Sequence, residues 1–342
     1  MKARLEQLLG RAWWQPRPDV LAHALWPLSV LYRMLLVVRG WQRSTGARLP
    51  VPVLVVGNLV VGGAGKTPTV IAVVQALQRA GHRPGVISRG HGRRGAAALG
   101  VHEVEDGDDA LRSGDEPLLI QRRCQVPVWV GRQRARAGSA LCQAHPEVDV
   151  LVSDDGLQHR ALARDAELVV FDERGAGNGW LLPAGPLREP LVASRLVHRK
   201  LLYTAGLQST PVPGSLALRS IATAWPLQAW QAQQPAAAQP LADLRGRALL
   251  AVAGIGAPEK FFGMLEAAGL QIDRLPLPDH FDFAELPWPA GTAEVITTEK
   301  DAVKLARHAL GETLVWVVPL DLGLPDALVG ELLTLLFPTP PP

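Results

Sequence analysis

Short apolar segments alternate with amphipathic segments along the first two thirds of the chain. Strands are predicted at residues 53–57, 86–90, 126–130, 148–153 and 166–172, and helices at 67–81, 116–123 and 132–144. The strand segments are apolar throughout, as in strands that are covered on both faces. The pattern therefore predicts an α/β fold with a parallel sheet and helices on both of its faces.

The pattern changes after Tyr203. Residues 206–246 are rich in Pro, Gln and Ala and are predicted to be connecting strands and loops. A second alternation follows, with strands at 248–256, 294–298 and 314–320 and helices at 258–269 and 299–309. We therefore predict four parts: an N-terminal segment (1–48), a nucleotide-binding domain (49–205), a connection (206–246) and a smaller α/β domain (247–337).

The first predicted strand runs directly into a glycine-rich loop that ends in Gly65-Lys66-Thr67. A strand, such a loop and a following helix are typical of a P-loop NTPase, whose backbone N–H groups surround phosphates while the lysine and threonine serve the phosphate oxygens and Mg²⁺. Val60 occupies the position where the full pattern has its first glycine. The alternative is an ordinary glycine-rich turn before a helix. The predicted nucleotide-binding set, called the P-loop below, is Val60, Val61, Gly62, Gly63, Ala64, Gly65, Lys66 and Thr67.

Charge is distributed unevenly. The chain of 342 residues has a net charge of +3, but residues 1–50 hold eight basic and two acidic residues, so the remainder carries −3. A nucleic-acid-binding enzyme would spread basic groups through its catalytic part, so this distribution argues against nucleic acid as a partner. Cys124 and Cys142 are the only cysteines, which argues against a disulfide framework or a zinc site.

The N-terminal segment contains an apolar stretch at residues 20–38 with tryptophans on both sides. No small-residue cleavage site follows it, so it is not a signal peptide. His23, Pro27 and Arg33 interrupt it as a membrane span. Arginine and tryptophan around an apolar helix favour a helix lying in the headgroup plane of an anionic leaflet. A helix packed on the domain core and a true span are the alternatives.

Several polar residues are candidates for chemistry. Asp154 and Asp155 follow an apolar strand, where a carboxylate can hold Mg²⁺ opposite Thr67, although Asp-Asp-Gly is also a common solvated turn. Gln158 and His159 follow closely and are predicted to face the same cleft. Four further residues are ambiguous by themselves and could be a helix cap, a loop residue or exposed arginines: Asp115, His280, Arg134 and Arg188.

A set of motifs extends over most of the chain in a specific order. They are VGNLVVGGAGKTP, SRGHGRR, SGDEP, SDDGLQH, NGWLLPAGPLRE, AGIGAPEKFF, PDHF and TTEKDAVKL. In order and spacing they resemble the tetraacyldisaccharide 4′-kinase family of lipid A biosynthesis, from about Gly57 to Leu305. The combination of DDGLQH, GDEP and PDHF is not general among P-loop proteins.

The resemblance implies transfer of the γ-phosphoryl group of ATP, with Mg²⁺, to the 4′-hydroxyl of a tetraacylated glucosamine disaccharide 1-phosphate, which forms lipid IV-A. It also implies work at the cytoplasmic face of the inner membrane, with peripheral or interfacial attachment, and names no protein partner. The implied catalytic residues are Asp115, His280 and Lys66. Thr67, Asp154 and Asp155 are the implied metal site. The implied substrate-binding residues are Glu116, Arg134, Gln158, His159 and Arg188.

Two positions depart from the family pattern. Val60 replaces a glycine that the family does not require, and His91 stands where the family has tyrosine. Two other functions compete with the kinase: a membrane-docked P-loop ATPase without a small-molecule acceptor, and a nucleic-acid-binding ATPase. The first would not need the GDEP and PDHF motifs, and the charge of −3 on residues 51–342 opposes the second. ATP turnover measured with and without the disaccharide would separate the kinase from an ATPase without an acceptor.

Overall fold

The computed structural model of the chain describes residues 2–41, 46–93, 100–191, 199–305 and 310–338. Several sequence predictions lie partly outside these residues, among them residues 42–45 of the N-terminal segment, the end of the predicted helix at 306–309 and the last residue of the SRGHGRR motif.

The elements follow the predicted alternation. The first part of the chain contains α1 (Lys2–Trp13), α2 (Val20–Trp41), β1 (Val53–Gly57), α3 (Lys66–Arg79), β2 (Pro84–Ser88), β3 (His102–Glu103), α4 (Ala110–Ser113), α5 (Asp115–Cys124), β4 (Val128–Val130), α6 (Arg134–Ala144), β5 (Val150–Asp154), β6 (Ala166–Phe171), β7 (Arg199–Tyr203) and β8 (Ser215–Leu216). The second part contains β9 (Leu218–Ser220), β10 (Thr223–Pro226), α7 (Leu227–Gln231), β11 (Gln239–Pro240), β12 (Leu249–Ala253), α8 (Pro258–Ala267), β13 (Ile272–Pro276), β14 (Glu294–Thr298), α9 (Glu299–Leu305), β15 (Leu314–Val318), β16 (Asp321–Gly323) and α10 (Asp326–Leu336).

The larger sheet has eight strands in the order β3-β4-β2-β5-β1-β6-β7-β8. All of its neighbouring strands are parallel except the short edge pair β3 and β4. Both faces of the central strand β1 are buried. Leu54 and Val56 join a cluster with residues of α3, whereas Val53 and Val55 join a second cluster with residues of α6. The predicted parallel sheet with helices on both faces is confirmed.

The smaller sheet has six strands in the order β11-β10-β15-β14-β12-β13. Strands β12 to β15 pair in parallel, and β10 and β11 add antiparallel pairs at one edge. The predicted connection, residues 206–246, is therefore more structured than its composition indicated. It contributes β8 to the larger sheet, and β10 and β11 to the smaller one.

The last helix returns to the first domain. Helix α10 packs against α3 and β6, and Glu331 pairs with Lys200 of β7 at 2.8 Å. It has no counterpart among the predicted elements, although Leu328, Leu332 and Leu336 repeat every four residues and are buried. Full burial of a leucine contributes about 1.5–3 kcal/mol, so these side chains fasten the end of the chain to the larger sheet.

The N-terminal helices lie against the loop of residues 172–188. Ser29 of α2 donates to the carbonyl of Leu181 at 2.8 Å, and Tyr32 donates to the carbonyl of Arg188 at 2.9 Å. The opposite side of α2 exposes apolar side chains, and its window Val20–Val38 has a mean hydropathy of 1.6 with 11% of its residues buried. Only a narrow face of α2 thus packs on the protein.

The two domains meet where α5 of the first packs against α9 of the second. Arg123 at the end of α5 pairs with Glu299 at 2.7 Å and with Asp321 at 2.6 Å. Glu299 is buried and also accepts a hydrogen bond from the indole of Trp230 at 3.2 Å. Burial raises the pKa of Glu299 against the opposing charge of Arg123. Removing Arg123 would therefore leave the Glu299 carboxylate buried without an opposite charge, which would lower the free energy of unfolding.

We expect Arg123→Met to lower the free energy of unfolding by about 3–5 kcal/mol, because it leaves a buried carboxylate unpaired. Adding Glu299→Gln to this variant should restore part of the loss. Arg122→Met is the matched control, since the described contacts of Arg122 are a backbone carbonyl and the ring of Trp230 rather than a buried carboxylate. Urea unfolding of the three variants measures the effect. A loss below about 1 kcal/mol for Arg123→Met, as for a surface pair, would contradict the argument.

Candidate active site

A cleft of about 460 Å³ lies between the two domains. The first domain lines it with the P-loop and with residues at the ends of β2 and β5, including Ser88 and Asp154. The second domain lines it with Gly256 after β12 and with Thr298 and Lys300 at the junction of β14 and α9. The carboxyl ends of parallel strands from both sheets thus face one space, which is where open α/β sheets bind ligands.

Four carbonyl groups of the P-loop, those of residues 62–65, accept hydrogen bonds from side chains. Gly65 is the residue just before α3 and has the left-handed conformation, with a φ of 84°. The four hydrogen bonds are Asn58 to Gly62 at 3.0 Å, Arg174 to Gly63 at 2.5 Å, Thr204 to Ala64 at 3.5 Å and Thr69 to Gly65 at 2.8 Å. Within one peptide unit, the N–H of a residue points opposite to the C=O of the residue before it. The N–H groups that share peptide units with these four carbonyls therefore point away from the side-chain donors.

The predicted nucleotide-binding residues divide into two groups. Gly62, Gly63, Gly65, Lys66 and Thr67 line the cleft, whereas Val60, Val61 and Ala64 do not. Val60 is fully buried in the cluster that contains α6, and the N–H of Val61 donates to the carbonyl of Pro186 at 2.9 Å. The first position of the motif is a packing position in this chain, which explains why a valine fits there.

Lys66 and the two aspartates meet on one side of the cleft. Lys66 Nζ lies 3.3 Å from Asn58 Oδ1 and 3.5 Å from Asp155 Oδ1. Asp155 follows directly on β5 and has a φ of 47°. Such a backbone is uncommon outside glycine and is found at functional sites. With this backbone conformation the Asp155 carboxylate lies next to the Lys66 ammonium group.

Asp154 is the more buried of the two carboxylates. Its Oδ2 accepts a hydrogen bond from Ser88 at 2.9 Å, whereas its Oδ1 has no hydrogen-bond partner among the described residues. Burial and the nearby charges of Glu116 and Asp155 raise the pKa of Asp154 to about 7. An unsatisfied carboxylate oxygen on a residue that lines the cleft, close to other oxygen donors, fits a hard cation such as Mg²⁺.

The predicted substrate-binding residues have different positions. Glu116, Arg134 and Arg188 line the cleft, while Gln158 and His159 lie outside its lining. Arg188 Nη1 lies 3.4 Å from Asp155 Oδ1 and 3.4 Å from Gln158 Oε1. Gln158 thus touches the site through Arg188.

Arg134 has a supporting position. It is 3% exposed, and its guanidinium donates to the carbonyl of Gly131 at 3.1 Å and to that of Asp154 at 3.4 Å. Burial lowers the pKa of Arg134 below its usual range. Its contacts fix the ends of β4 and β5 on which the acidic pair stands.

The sequence candidates Asp115 and His280 come together across the cleft. Asp115 Oδ2 lies 2.9 Å from His280 Nδ1 although the residues are 165 positions apart. Burial alone would raise the pKa of Asp115, but the hydrogen bond from His280 and the charge of Lys300 hold it below its usual value. The same hydrogen bond raises the pKa of His280. The pair therefore holds an ionised carboxylate next to a histidine that favours its protonated form.

Local structure fixes both members of the pair. Asp115 begins α5 after Gly114, whose φ of 91° suits glycine, and Asp115 Oδ1 accepts the backbone N–H of Glu116 at 3.0 Å. His280 has a φ of 58°, and its backbone N–H donates to the carbonyl of Gly254 at 3.2 Å. The ring of His91, which replaces the family tyrosine, lies 5.4 Å from that of His280.

A comparison with protein-family models matches residues 21–336 to the model described as LpxK, tetraacyldisaccharide-1-P 4′-kinase. This match covers almost the whole chain. The chain belongs to this kinase family.

Curated relatives agree with the assignment to the tetraacyldisaccharide 4′-kinases. The chain is 52% identical to the tetraacyldisaccharide 4′-kinase of Leptothrix cholodnii over 97% of each protein. It is 51% identical to that of Methylibium petroleiphilum, over 99% of this chain and 96% of the relative. A crystal structure of LpxK from Aquifex aeolicus in complex with ATP superposes with a TM-score of 0.73 at 27% identity, covering 93% of this chain and all of that one.

As a tetraacyldisaccharide 4′-kinase, the chain transfers a phosphoryl group from ATP to the 4′-hydroxyl of tetraacyldisaccharide 1-phosphate in lipid A biosynthesis. The family resemblance inferred from the sequence is confirmed. The two competing functions, an ATPase without an acceptor and a nucleic-acid-binding ATPase, are wrong for this chain.

Sequence reasoning gave no role to one residue of this kinase site, Lys300. Its ammonium group lies 3.3 Å from Glu116, 3.6 Å from Asp279 and 3.9 Å from Asp115. These carboxylates outweigh burial and raise the pKa of Lys300 to about 12. The signal in the sequence was its position just after a predicted apolar strand, where polar residues enter the ligand-binding edge of a sheet.

We expect Gly65→Ala to destabilise the protein by about 1–3 kcal/mol, because alanine is strained at this φ. An added Cβ would also lie 2.8 Å from Arg219 Nη2. Gly63→Ala is the matched control, since a Cβ there meets nothing within 4 Å, and its stability should stay within about 0.5 kcal/mol of the parent. Urea unfolding without nucleotide measures both. Equal stability of the two variants would contradict the assigned loop geometry.

Proposed function

We propose that Asp115 is the general base of the kinase and that His280 orients it. A sugar hydroxyl is a poor nucleophile, and a carboxylate that accepts its proton as the new P–O bond forms lowers the barrier. The single observation that carries this proposal is the 2.9 Å contact between Asp115 and His280 in the cleft. His280 donates to Oδ2 and holds the carboxylate in place, and the proton of the acceptor passes to Asp115.

The P-loop would bind the nucleotide phosphates. Lys66 lies in the cleft where its charge can neutralise the transferring phosphoryl group. Gly62, Gly63 and Gly65 let the backbone approach the phosphates closely. The ATP bound in the Aquifex aeolicus relative supports this proposal.

Thr67, Asp154 and Asp155 would hold Mg²⁺ together with the phosphates. The unsatisfied Oδ1 of Asp154 and the hydroxyl of Thr67 suit a cation that prefers oxygen ligands and takes only one or two carboxylates from the protein. When bound, Mg²⁺ neutralises charge on the β- and γ-phosphates. Ser88 orients Asp154 for this role through its hydrogen bond to the second oxygen.

The other cleft residues would serve the acceptor and the transferring group. Arg188 offers a guanidinium to a phosphate oxygen at the reaction centre, and Gln158 orients it. Glu116 can accept a hydrogen bond from a hydroxyl of the sugar, while Arg134 holds the backbone carbonyl of Asp154. His159 does not line the cleft and has no part in this proposal.

We expect Asp115→Asn and His280→Ala each to lower kcat by about 10²–10⁴-fold, as for loss of general base catalysis. The double variant should be little slower than the poorer single variant, because residues that act as one unit are strongly non-additive. Asp273→Asn is the control, since this exposed carboxylate of β13 belongs to the same domain as His280 but does not line the cleft. Steady-state kinetics with detergent-dispersed disaccharide measures all four. Losses that multiply cleanly would show independent roles and contradict the base pair.

We also propose that α2 lies on the cytoplasmic face of the inner membrane, where the acylated substrate is. Its exposed apolar residues are Val20, Trp26, Leu28, Leu31, Met34, Leu35, Val37 and Val38. Leu28, Leu31, Leu35 and Val38 recur at three- and four-residue spacing and so form one stripe. The positive charge of the N-terminal segment would add attraction to anionic lipid.

We expect Leu31→Ser/Leu35→Ser to reduce binding to anionic vesicles strongly. Leu216→Ser/Leu218→Ser is the matched control, because these leucines are equally exposed but lie on short strands after β7. Binding of the parent should weaken as salt rises, since charges are screened within about 8 Å at physiological ionic strength, and a residual apolar part should remain. Vesicle sedimentation measures this. Resistance to both high salt and alkaline carbonate would instead indicate a membrane span, and equal binding by the two double variants would indicate another anchor.

A further inference from the structure

Arg174 connects the P-loop to the N-terminal segment. Its Nη2 donates to the carbonyl of Gly63 at 2.5 Å, and its Nε lies 2.9 Å from Asp172 Oδ2. The guanidinium carbon stands 4.2 Å from the ring centroid of Trp14, as in a cation–π contact. One side chain therefore touches the P-loop, the end of β6 and the turn between α1 and α2.

The hydrogen bond to Gly63 differs from the other three that hold the P-loop carbonyls. Asn58, Thr69 and Thr204 are each fully buried in the first domain, so the domain core fixes their positions. The Arg174 side chain is 26% exposed, and its guanidinium has the Trp14 ring on one side. Among the described donors to these carbonyls, Arg174 is thus the partly exposed one, and it is the one that contacts the N-terminal segment.

The turn that carries Trp14 is firmly attached to the body of the protein. The indole N–H of Trp13 donates to the carbonyl of Pro183 at 2.8 Å. The backbone N–H of Asn178 donates to the carbonyl of Trp13 at 2.8 Å, and its side chain donates to that of Ala12 at 3.2 Å. At Gly177, an added Cβ would lie 2.1 Å from the Trp13 carbonyl oxygen. The position of the Trp14 ring therefore depends on how the N-terminal helices pack on the 172–188 loop.

We propose that Arg174 is a positioning residue for nucleotide binding and that Trp14 holds it in place. By fixing the Gly63 carbonyl, Arg174 also fixes the plane of the next peptide and turns the Ala64 N–H the opposite way. The N-terminal segment then does more than attach the enzyme to a surface. The packing of its helices on the 172–188 loop sets the affinity of the P-loop for phosphate. This inference rests on the proposed binding of nucleotide at the P-loop.

Asp172 makes the effects of the two residues unequal. It forms an ion pair with Arg174 and with Lys260 of α8, the latter at 3.1 Å. Loss of the Trp14 ring leaves Arg174 with this partner and so weakens its position only in part. Loss of Arg174 removes the donor to Gly63 altogether. The variant of Arg174 should therefore have the larger effect.

The test measures the affinity of the full-length protein in detergent for a non-hydrolysable ATP analogue, without vesicles. We expect Arg174→Ala to weaken binding about 10-fold or more, as for loss of a hydrogen bond from a charged donor. Trp14→Ala should weaken it about 3- to 10-fold. Arg174→Lys and Trp14→Phe should retain most of the affinity, because each keeps a donor or a ring. The double alanine variant should match Arg174→Ala alone.

Two control variants separate this effect from others. Trp26→Ala removes an exposed tryptophan of α2 and should leave analogue affinity unchanged. Arg247→Ala removes an arginine stacked on Trp316 in the second domain and should do the same. In turnover assays the KM for ATP should rise in Trp14→Ala while the KM for the disaccharide in detergent stays constant.

Three results would overturn the inference. The first is unchanged analogue affinity in Arg174→Ala. The second is a double variant whose loss equals the product of the two single losses, since that would make the residues independent. The third is an equal rise of both KM values in Trp14→Ala together with a lower Tm, which indicates a general structural role. Failure of the parent protein to bind the analogue would instead count against the proposed nucleotide site.

Discussion

The site depends on the packing of α5 against α9, because the two members of the proposed base pair belong to different domains. Asp115 stands at the start of α5, and His280 belongs to a loop of the second domain. The ion pair of Arg123 and Glu299 fastens the other end of α5 to the first residue of α9. Lys300, the next residue, reaches back to Asp115 and Glu116. One interface thus fixes both the distance and the charge state of the pair.

A second constraint acts on the P-loop backbone. Phosphate is bound by N–H groups, and these can face a ligand only if the carbonyls of the same loop have partners elsewhere. The partners are the side chains of Asn58 just after β1, Thr69 in α3, Thr204 just after β7 and Arg174 in the 172–188 loop. Arg174 and Arg188 both belong to this loop, and α1 and α2 pack on its outer side. Helices α1 and α2 and the reaction centre therefore contact the same loop, residues 172–188.

Local features were predicted from the sequence and long-range contacts were not. The order β1, P-loop, α3 and the parallel sheet follow from apolar runs and a glycine-rich turn, which act within about 15 residues. Asp115 and His280 each look like an ordinary cap or loop residue, and only the family resemblance paired them. Lys300 follows a predicted apolar strand, but Asp115 and Glu116, which it contacts, lie far away in the chain. The Gly63 carbonyl that Arg174 reaches is also distant, so no local pattern gives either residue its role. Helix α10 is absent from the predicted elements although Leu328, Leu332 and Leu336 recur every four residues, since their burial depends on α3 and β6 far away in the chain.

The most direct test of the account is the pKa of His280 measured by NMR titration of the ring in the full-length protein. The contact with Asp115 predicts a value above the usual 6.5 of histidine. Asp115→Asn should lower that pKa, because it removes the carboxylate that stabilises the protonated ring. Lys300→Met should raise it further, because it removes an opposing positive charge. An unchanged His280 pKa in Asp115→Asn would show that the two side chains do not interact in solution and would contradict the account.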